Sequence, residues 1–239
     1  MPPKILVISG PTASGKTRLA VELALRHGGE VVSADSMQVY RRMDIGTAKP
    51  TPEEMRGVPH HMIDVADPEE DFSVARYVEL AAPCVDDILA RGKLPIVAGG
   101  TGLYLDSLLS GRTFAPFSPD GGLRARLEAR FDALGGEAML GELAAADPEA
   151  AARLHPNDRK RIVRALEVFQ QTGKTISQHN RETRALPLRY DALTLSLAFQ
   201  RREDMWARID RRVDEMMAAG LAEEVRALLD SGVPVRCTA

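Results

Sequence analysis

Cysteine is nearly absent from this chain of 239 residues: only Cys84 and Cys237 occur, far apart. Two such residues give neither a disulfide framework nor the closely spaced pairs of a zinc site, and they fit a reducing cytoplasm. Long apolar runs are missing too. The N-terminal stretch MPPKILVISGP is too short for a signal peptide and leads directly into a glycine-rich loop. No later segment approaches the length of a bilayer span, so a soluble cytoplasmic protein without a membrane partner is expected. Strong net charge is also lacking; a formal −3 by itself argues against a nucleic-acid partner. The hydrophobic content of 44% supports a true core, and the length suits a single core carrying an inserted piece.

What is present is organised around GPTASGKT, residues Gly10, Pro11, Thr12, Ala13, Ser14, Gly15, Lys16 and Thr17. The apolar run Lys4 to Ser9 reads as a buried strand, and TRLAVELALR as an amphipathic helix with Leu19, Leu23 and either Ala20 or Ala24 on one face. A strand, a glycine loop and a helix in that order direct backbone N–H groups and a helix N-terminus at one point, where a diphosphate or triphosphate can bind. Lys16 adds a positive charge, and the Thr17 hydroxyl can ligate Mg²⁺.

Glu30 to Ser33 forms a second strand whose end delivers Asp35, Ser36, Met37 and Gln38. In open α/β sheets ligands sit beyond the carboxyl ends of the strands, so Asp35 is expected in the same crevice as Lys16. Capping of the next turn is the alternative role for its carboxylate. Gln38 to Pro50 reads as a loop. His60 and His61 are adjacent on an extended segment and point to opposite faces, which disfavours a shared metal. Ser73 to Arg91 reads as a helix interrupted or kinked at Pro83, and Leu94 to Ala98 as a buried strand. That strand ends in Gly99, Gly100, Thr101 and Gly102, a second close-approach loop in which Thr101 could bond a phosphate oxygen or cap the following helix.

From Arg112 the pattern changes. PFSPDGG reads as a linker, and Leu123 to Leu186 as an almost wholly helical insertion with four candidate helices: LRARLEARFDALG, EAMLGELAAAD, PEAAARLH and DRKRIVRALEVFQQTG. The expected organisation is a core from 1–111, an insertion over 112–189 and a core remainder over 190–239. Between Arg153 and Arg189 stand nine basic residues against Asp158, Glu167 and Glu182, a local +6. Beside a phosphate-binding core this block favours a polyanion over a merely solvated face. Tyr190 to Phe199 returns to a strand pattern. Glu203 to Ala219 reads as a helix with Met205, Ile209, Val213 and Met216 or Met217 as its apolar stripe, and with Arg208 and Arg212 sharing another face.

With GPTASGKT, ADSMQVYRRMDIGTAKP, AGGTGLY, HPNDRKRIVRALEVFQQTGK and RIDRRVDEMMAAGLAEEV in this order, the sequence resembles the tRNA dimethylallyltransferases, or tRNA isopentenyltransferases, from about Lys4 onward. The resemblance implies an α/β fold: a P-loop NTPase-like parallel-sheet core with an all-helical insertion domain. It implies transfer of a five-carbon allyl group from dimethylallyl diphosphate to N6 of the adenosine 3′ of the anticodon in tRNA, with Mg²⁺ as cofactor. Asp35 then resembles the catalytic base, Thr101 a residue at the reacting centre, and Arg208 and Arg212 the cations of the diphosphate site. Asp35 to Gln38, Thr101, Arg124, and the run Lys160, Arg161, Ile162, Val163 and Arg164 resemble tRNA-contacting positions. A monomer is expected. Family members usually continue past Val233–Ala239 into a Gly-Tyr segment and further helices, so the sequence reads as truncated. A small-molecule or nucleotide kinase using the same loop, and a tRNA-binding fragment without turnover, are the competing readings.

Overall fold

A computed structural model describes residues 2–111, 121–235 and 237. It divides into two compact units, 1–110 with 188–239, and 111–187.

The first unit is built on five parallel strands: β1 (Lys4–Ser9), β2 (Gly29–Ser33), β3 (His60–His61), β4 (Leu94–Ala98) and β5 (Asp191–Ser196), in the order β3-β2-β4-β1-β5. Its helices are α1 (Lys16–His27), α2 (Pro52–Met55), α3 (Val74–Ala90), α4 (Gly102–Leu109), α10 (Arg202–Ala218) and α11 (Leu221–Asp230). Among the described residues the regular elements of the second unit are all helices: α5 (Gly121–Leu134), α6 (Gly136–Ala146), α7 (Pro148–Ala151), α8 (Arg159–Thr172) and α9 (Ile176–Arg184). Of the linker, Pro116–Asp120 lie outside the described residues, while Gly121 and Gly122 already belong to α5.

The continuous apolar runs of β1, β2 and β4 follow from burial on both faces of a parallel sheet. Alternation along β1 splits its side chains. Ile5 and Val7 join a core with Val32, Val97, Tyr77, Val85 and Ile88, whereas Leu6 and Ile8 join Val31 and Ile96 against Ala20, Val21 and Ala24 of α1. The face of α1 nearest the sheet is therefore its small residues, and Leu19 and Leu23 pack only partly buried beside it. Tyr77 stacks on Tyr104 at 4.1 Å between centroids and donates its hydroxyl to the Ser33 carbonyl at 3.1 Å, joining α3 and α4 to the end of β2. At the other end of β2, Glu30 is 2% exposed. Arg91 binds both its oxygens, Lys93 and His61 add contacts at 2.7 and 2.8 Å, and the carboxyl is held well below the usual range, first by the Arg91 bonds.

Three expectations need correction. Helix α3 runs through Pro83, exposed on it, without the interruption that is one of the two alternatives there. On α10 the inward residues are Met205, Ile209, Arg212 and Met216, while Val213 and Met217 are about half exposed. The 4-3-4 spacing through Arg212 fits the helical period as well as the 4-4-3 spacing through Val213, and Arg212 turns toward a polar cavity rather than an apolar core. Finally, α9 is not among the four candidate helices, although Thr175 and Gln178 form a full capping box at its start.

Candidate functional site

The loops after β1, β2 and β4 leave the sheet at its carboxyl end, and each is shaped by a backbone demand. In the first, Gly10 has φ 147° and a Cβ there would lie 2.7 Å from the Leu197 carbonyl oxygen. Gly15, with φ 88°, precedes α1 and offers no side chain to its first N–H groups. The Lys16 ammonium donates to the carbonyls of Gly10 and Pro11 at 2.9 and 2.8 Å, which holds it over the loop. Burial lowers its pKa from 10.5, the nearby Asp35 charge raises it and Arg212 lowers it. The Ser14 hydroxyl is buried without a hydrogen-bond partner among the described residues.

Asp35 follows β2. Its Oδ1 accepts from the Met37 N–H at 2.9 Å and, more weakly, from Gln38 N–H at 3.4 Å. The carboxylate thus closes a local turn with one oxygen, and Asp35 lines the cavity. In the third loop, a Cβ on Gly99 would meet the Ala34 carbonyl at 2.1 Å, so only glycine allows these two loops to touch. Thr101 occupies the N-cap position of α4 without capping it. Its hydroxyl accepts from the Ser36 N–H at 3.1 Å, and Gly100 rather than Thr101 lines the cavity.

These loops enclose a cavity of about 600 Å³. Thr12 to Thr17, Asp35, Gln38 and Gly100 line it, together with Asp44, Ile45, Ala48 and Lys49 of the loop after Gln38 and Arg212, Glu215, Met216 and Ala219 of α10. Ser36 and Met37 are not part of the lining. Gln38 spends its amide inside the protein, accepting from Ser33 and donating to the carbonyls of Thr47 and Ala48. Arg212 enters the cavity, while Arg208 braces the phosphate loop from a neighbouring cleft, donating to the Ala13 carbonyl at 3.2 Å and lying over Phe199.

Sequence reasoning missed two features of this wall. Lys49 is buried between Asp44 and Asp64, at 2.6 and 2.5 Å. Glu224 on α11 receives the N–H groups of Asp44, Ile45 and Gly46. Glu224 in particular joins a loop about 180 residues earlier, with no sign of the pairing in either sequence neighbourhood. His60 and His61 bond the Val58 carbonyl and Glu30, and among the described residues no group of three or more His, Cys, Asp or Glu is placed to hold a metal.

In the helical unit, a second cavity of about 440 Å³ is rimmed by Arg124, Arg153, Lys160, Arg161 and Arg164 over Leu154, Ala165 and Ile176. Ile162 and Val163 are fully buried in this unit's core. Their side chains are turned away from solvent, because an amphipathic helix that exposes Lys160 and Arg161 turns the following pair inward. The basic block is also less free than its +6 suggests. Arg159 pairs with Asp132, Arg153 and Arg181 with Glu149, Lys174 with Glu182, and Arg164 with the buried Glu167. Lys160 and Arg161 have no carboxylate partner among the described residues.

A family model described as IPP transferase matches residues 38–239, and one described as isopentenyl transferase matches 3–68. The chain is 51% identical over 237 residues to tRNA dimethylallyltransferase 1 of Trichlorobacter lovleyi, covering 99% of this chain and 77% of that protein. It is 49% identical to the tRNA dimethylallyltransferase of Acetivibrio thermocellus, covering 95% and 72%. Among solved structures, the full-length tRNA isopentenylpyrophosphate transferase of Bacillus halodurans aligns with TM-score 0.65 at 44% identity, over 97% of this chain and 72% of that one. A eukaryotic dimethylallyltransferase acting on tRNA aligns with TM-score 0.82 at 33% identity, over 96% and 56%. No helix among the described residues is long and apolar enough to cross a membrane. The phosphate loop, the parallel sheet behind it and these relationships lead to one conclusion: the chain belongs to the tRNA dimethylallyltransferase, or IPP transferase, family.

Proposed function

We propose that this chain transfers the dimethylallyl group of dimethylallyl diphosphate to N6 of the adenosine 3′ of the anticodon in tRNA, releasing diphosphate. The observation that carries the reading is the convergence of the Asp35 carboxylate, the Lys16 ammonium and Arg212 on one cavity. The adenine N6 lone pair is delocalised into the ring, which makes it a weak nucleophile. A carboxylate within hydrogen-bond reach that takes its proton as the bond forms answers that weakness. In the proposed step N6 bonds to C1 of the allyl group, the C1–O bond breaks with its electron pair leaving on diphosphate, and the N6 proton passes to Asp35.

Negative charge grows on the departing oxygen, where the loop N–H groups, Lys16 and Arg212 stabilise it more in the transition state than before it. Arg208 supports this by fixing the loop at Ala13. The Thr17 hydroxyl, in the first turn of α1 and lining the same cavity, fits Mg²⁺, an ion that binds through few protein oxygens together with substrate phosphates. Bound there, Mg²⁺ would offset charge on the diphosphate. Lys160 and Arg161, with Arg124 and Arg164, supply the phosphate contacts for the tRNA, whose target base must be turned out of its loop to react.

The family relationship leaves no support for the kinase reading. The test is incubation with unmodified tRNA and dimethylallyl diphosphate, followed by nucleoside mass analysis. One five-carbon unit on adenosine supports the proposal; tRNA binding without modified adenosine refutes it and leaves the non-catalytic reading.

A further inference from the structure

Residues 43–49 form one wall of the core cavity without regular secondary structure. Within this loop the Ala48 and Lys49 N–H groups return to the carbonyls of Ile45 and Asp44. The N–H groups of Asp44, Ile45 and Gly46 all point outward at one carboxylate. Glu224, in the first turn of α11, accepts them at 2.7 and 2.8 Å on Oε2 and 2.9 Å on Oε1. A Cβ on Gly46 would lie 3.1 Å from Leu221 and 3.4 Å from Oε1 of Glu224, so the glycine leaves room for α11 to come this near. Three charge-assisted bonds to one carboxylate are a strong, directional fastening for a loop of this kind.

The fastened loop carries much of the cavity's apolar surface. Outside the phosphate loop, the apolar side chains of the lining are Ile45 and Ala48, the adjoining Pro50, and Met216 and Ala219 at the end of α10. A diphosphate is served by the phosphate loop, Lys16 and Arg212. Among the described residues this other surface is the apolar part of the lining left for a five-carbon hydrocarbon attached to the diphosphate.

We propose that Glu224 is a positioning residue for the allyl half of the donor. By holding residues 44–46 it keeps Ile45 and Ala48 where they pack on the hydrocarbon, without touching the donor itself. This rests on the reading of the cavity as the allyl-diphosphate site.

The test compares two probes, inorganic diphosphate and dimethylallyl diphosphate, bound without tRNA to the whole protein. Glu224→Ala should weaken dimethylallyl diphosphate about tenfold by loosening the apolar wall, and leave inorganic diphosphate within about twofold. The KM for the donor should rise in step while kcat at saturating donor falls much less. Glu224→Gln keeps one oxygen but sets an NH₂ against at least one loop N–H, so it should fall between wild type and Ala; it carries the comparison if the Ala variant does not fold. Equal weakening of both probes would mean a general loss of the core and overturn the proposal, as would no change in either. Wild-type protein that binds inorganic diphosphate and gains nothing from the allyl chain would also overturn it, with the phosphate loop intact. Wild type that binds neither probe would overturn the proposed function itself.

Discussion

Replacing Asp35 by asparagine separates the turn that this side chain closes in the structure from the base role proposed for it. Its Oδ1 closes a turn by accepting from Met37 and Gln38 N–H. Asparagine retains an acceptor oxygen of the same reach, so the turn survives and the cost in stability stays below the roughly 1 kcal/mol typical of losing such a cap. What asparagine cannot do is accept the N6 proton. Loss of a positioned general base slows the chemical step by about 10² to 10⁴, equivalent to about 3 to 5 kcal/mol of barrier. Alanine removes both functions and should add the stability loss to the same rate loss. Single-turnover transfer with tRNA and donor saturating, paired with thermal melting of wild type, Asp35→Asn and Asp35→Ala, reads both quantities. Near-normal transfer by a folded Asn variant would refute Asp35 as the base. An Asn variant with a much lowered melting temperature would refute the expectation that the turn survives in it.

Four further outcomes are expected. Lys16 has its pKa lowered, chiefly by burial, so as pH rises it gives up its charge before the ordinary lysine value of 10.5 is reached. Affinity for inorganic diphosphate should therefore fall on the alkaline side below that value, and earlier in Asp35→Asn, which removes the charge that raises the pKa; an unmoved or opposite pH profile from titration calorimetry would contradict this. Lys160→Ala with Arg161→Ala should lower the slope of log affinity for tRNA against log salt by about 1 to 2, leaving donor binding intact. Arg164 is best left in place in that experiment, because its removal strands the buried Glu167. Glu30→Ala should cost about 2 kcal/mol at neutral pH, less than the roughly 3 to 5 for breaking a fully buried pair, because Arg91 and Lys93 are more than a third exposed. Since the folded pKa of Glu30 is depressed, its contribution is full above the ordinary value of 4.5 and is lost as pH falls below it, so the wild-type and variant melting temperatures should converge in acid. Gly99→Ala should destabilise severely because its Cβ meets backbone at 2.1 Å, whereas Gly100→Ala, with nothing nearer than 3.8 Å, should fold normally; equal melting of the two would contradict the packing argument.

The phosphate loop and the parallel sheet were legible from the residues because both rest on local physics. A glycine-rich turn between an apolar run and an amphipathic helix has few other folded forms, and strands buried on both faces must be apolar throughout. The helical unit was equally plain in its Ala, Leu, Glu and Arg periodicity, and the capping box at Thr175 was there to be read. Periodicity fixes the spacing of a helix stripe but not its partner. It could not choose between Arg212 and Val213 on α10, because that choice depends on whether the helix faces a polar cavity or a core.

Only the tertiary structure decided which charges are free. Most of the basic block is neutralised by carboxylates, some of them, such as Asp132 for Arg159, well outside it in sequence, and Ile162 and Val163 are consumed by packing. The Thr101 hydroxyl is tied to Ser36, and Glu224 meets a loop some 180 residues earlier. Such contacts join segments whose separation along the chain carries no local signature, so chain folding, rather than any motif, determines which side chain ends at the cavity and which behind it.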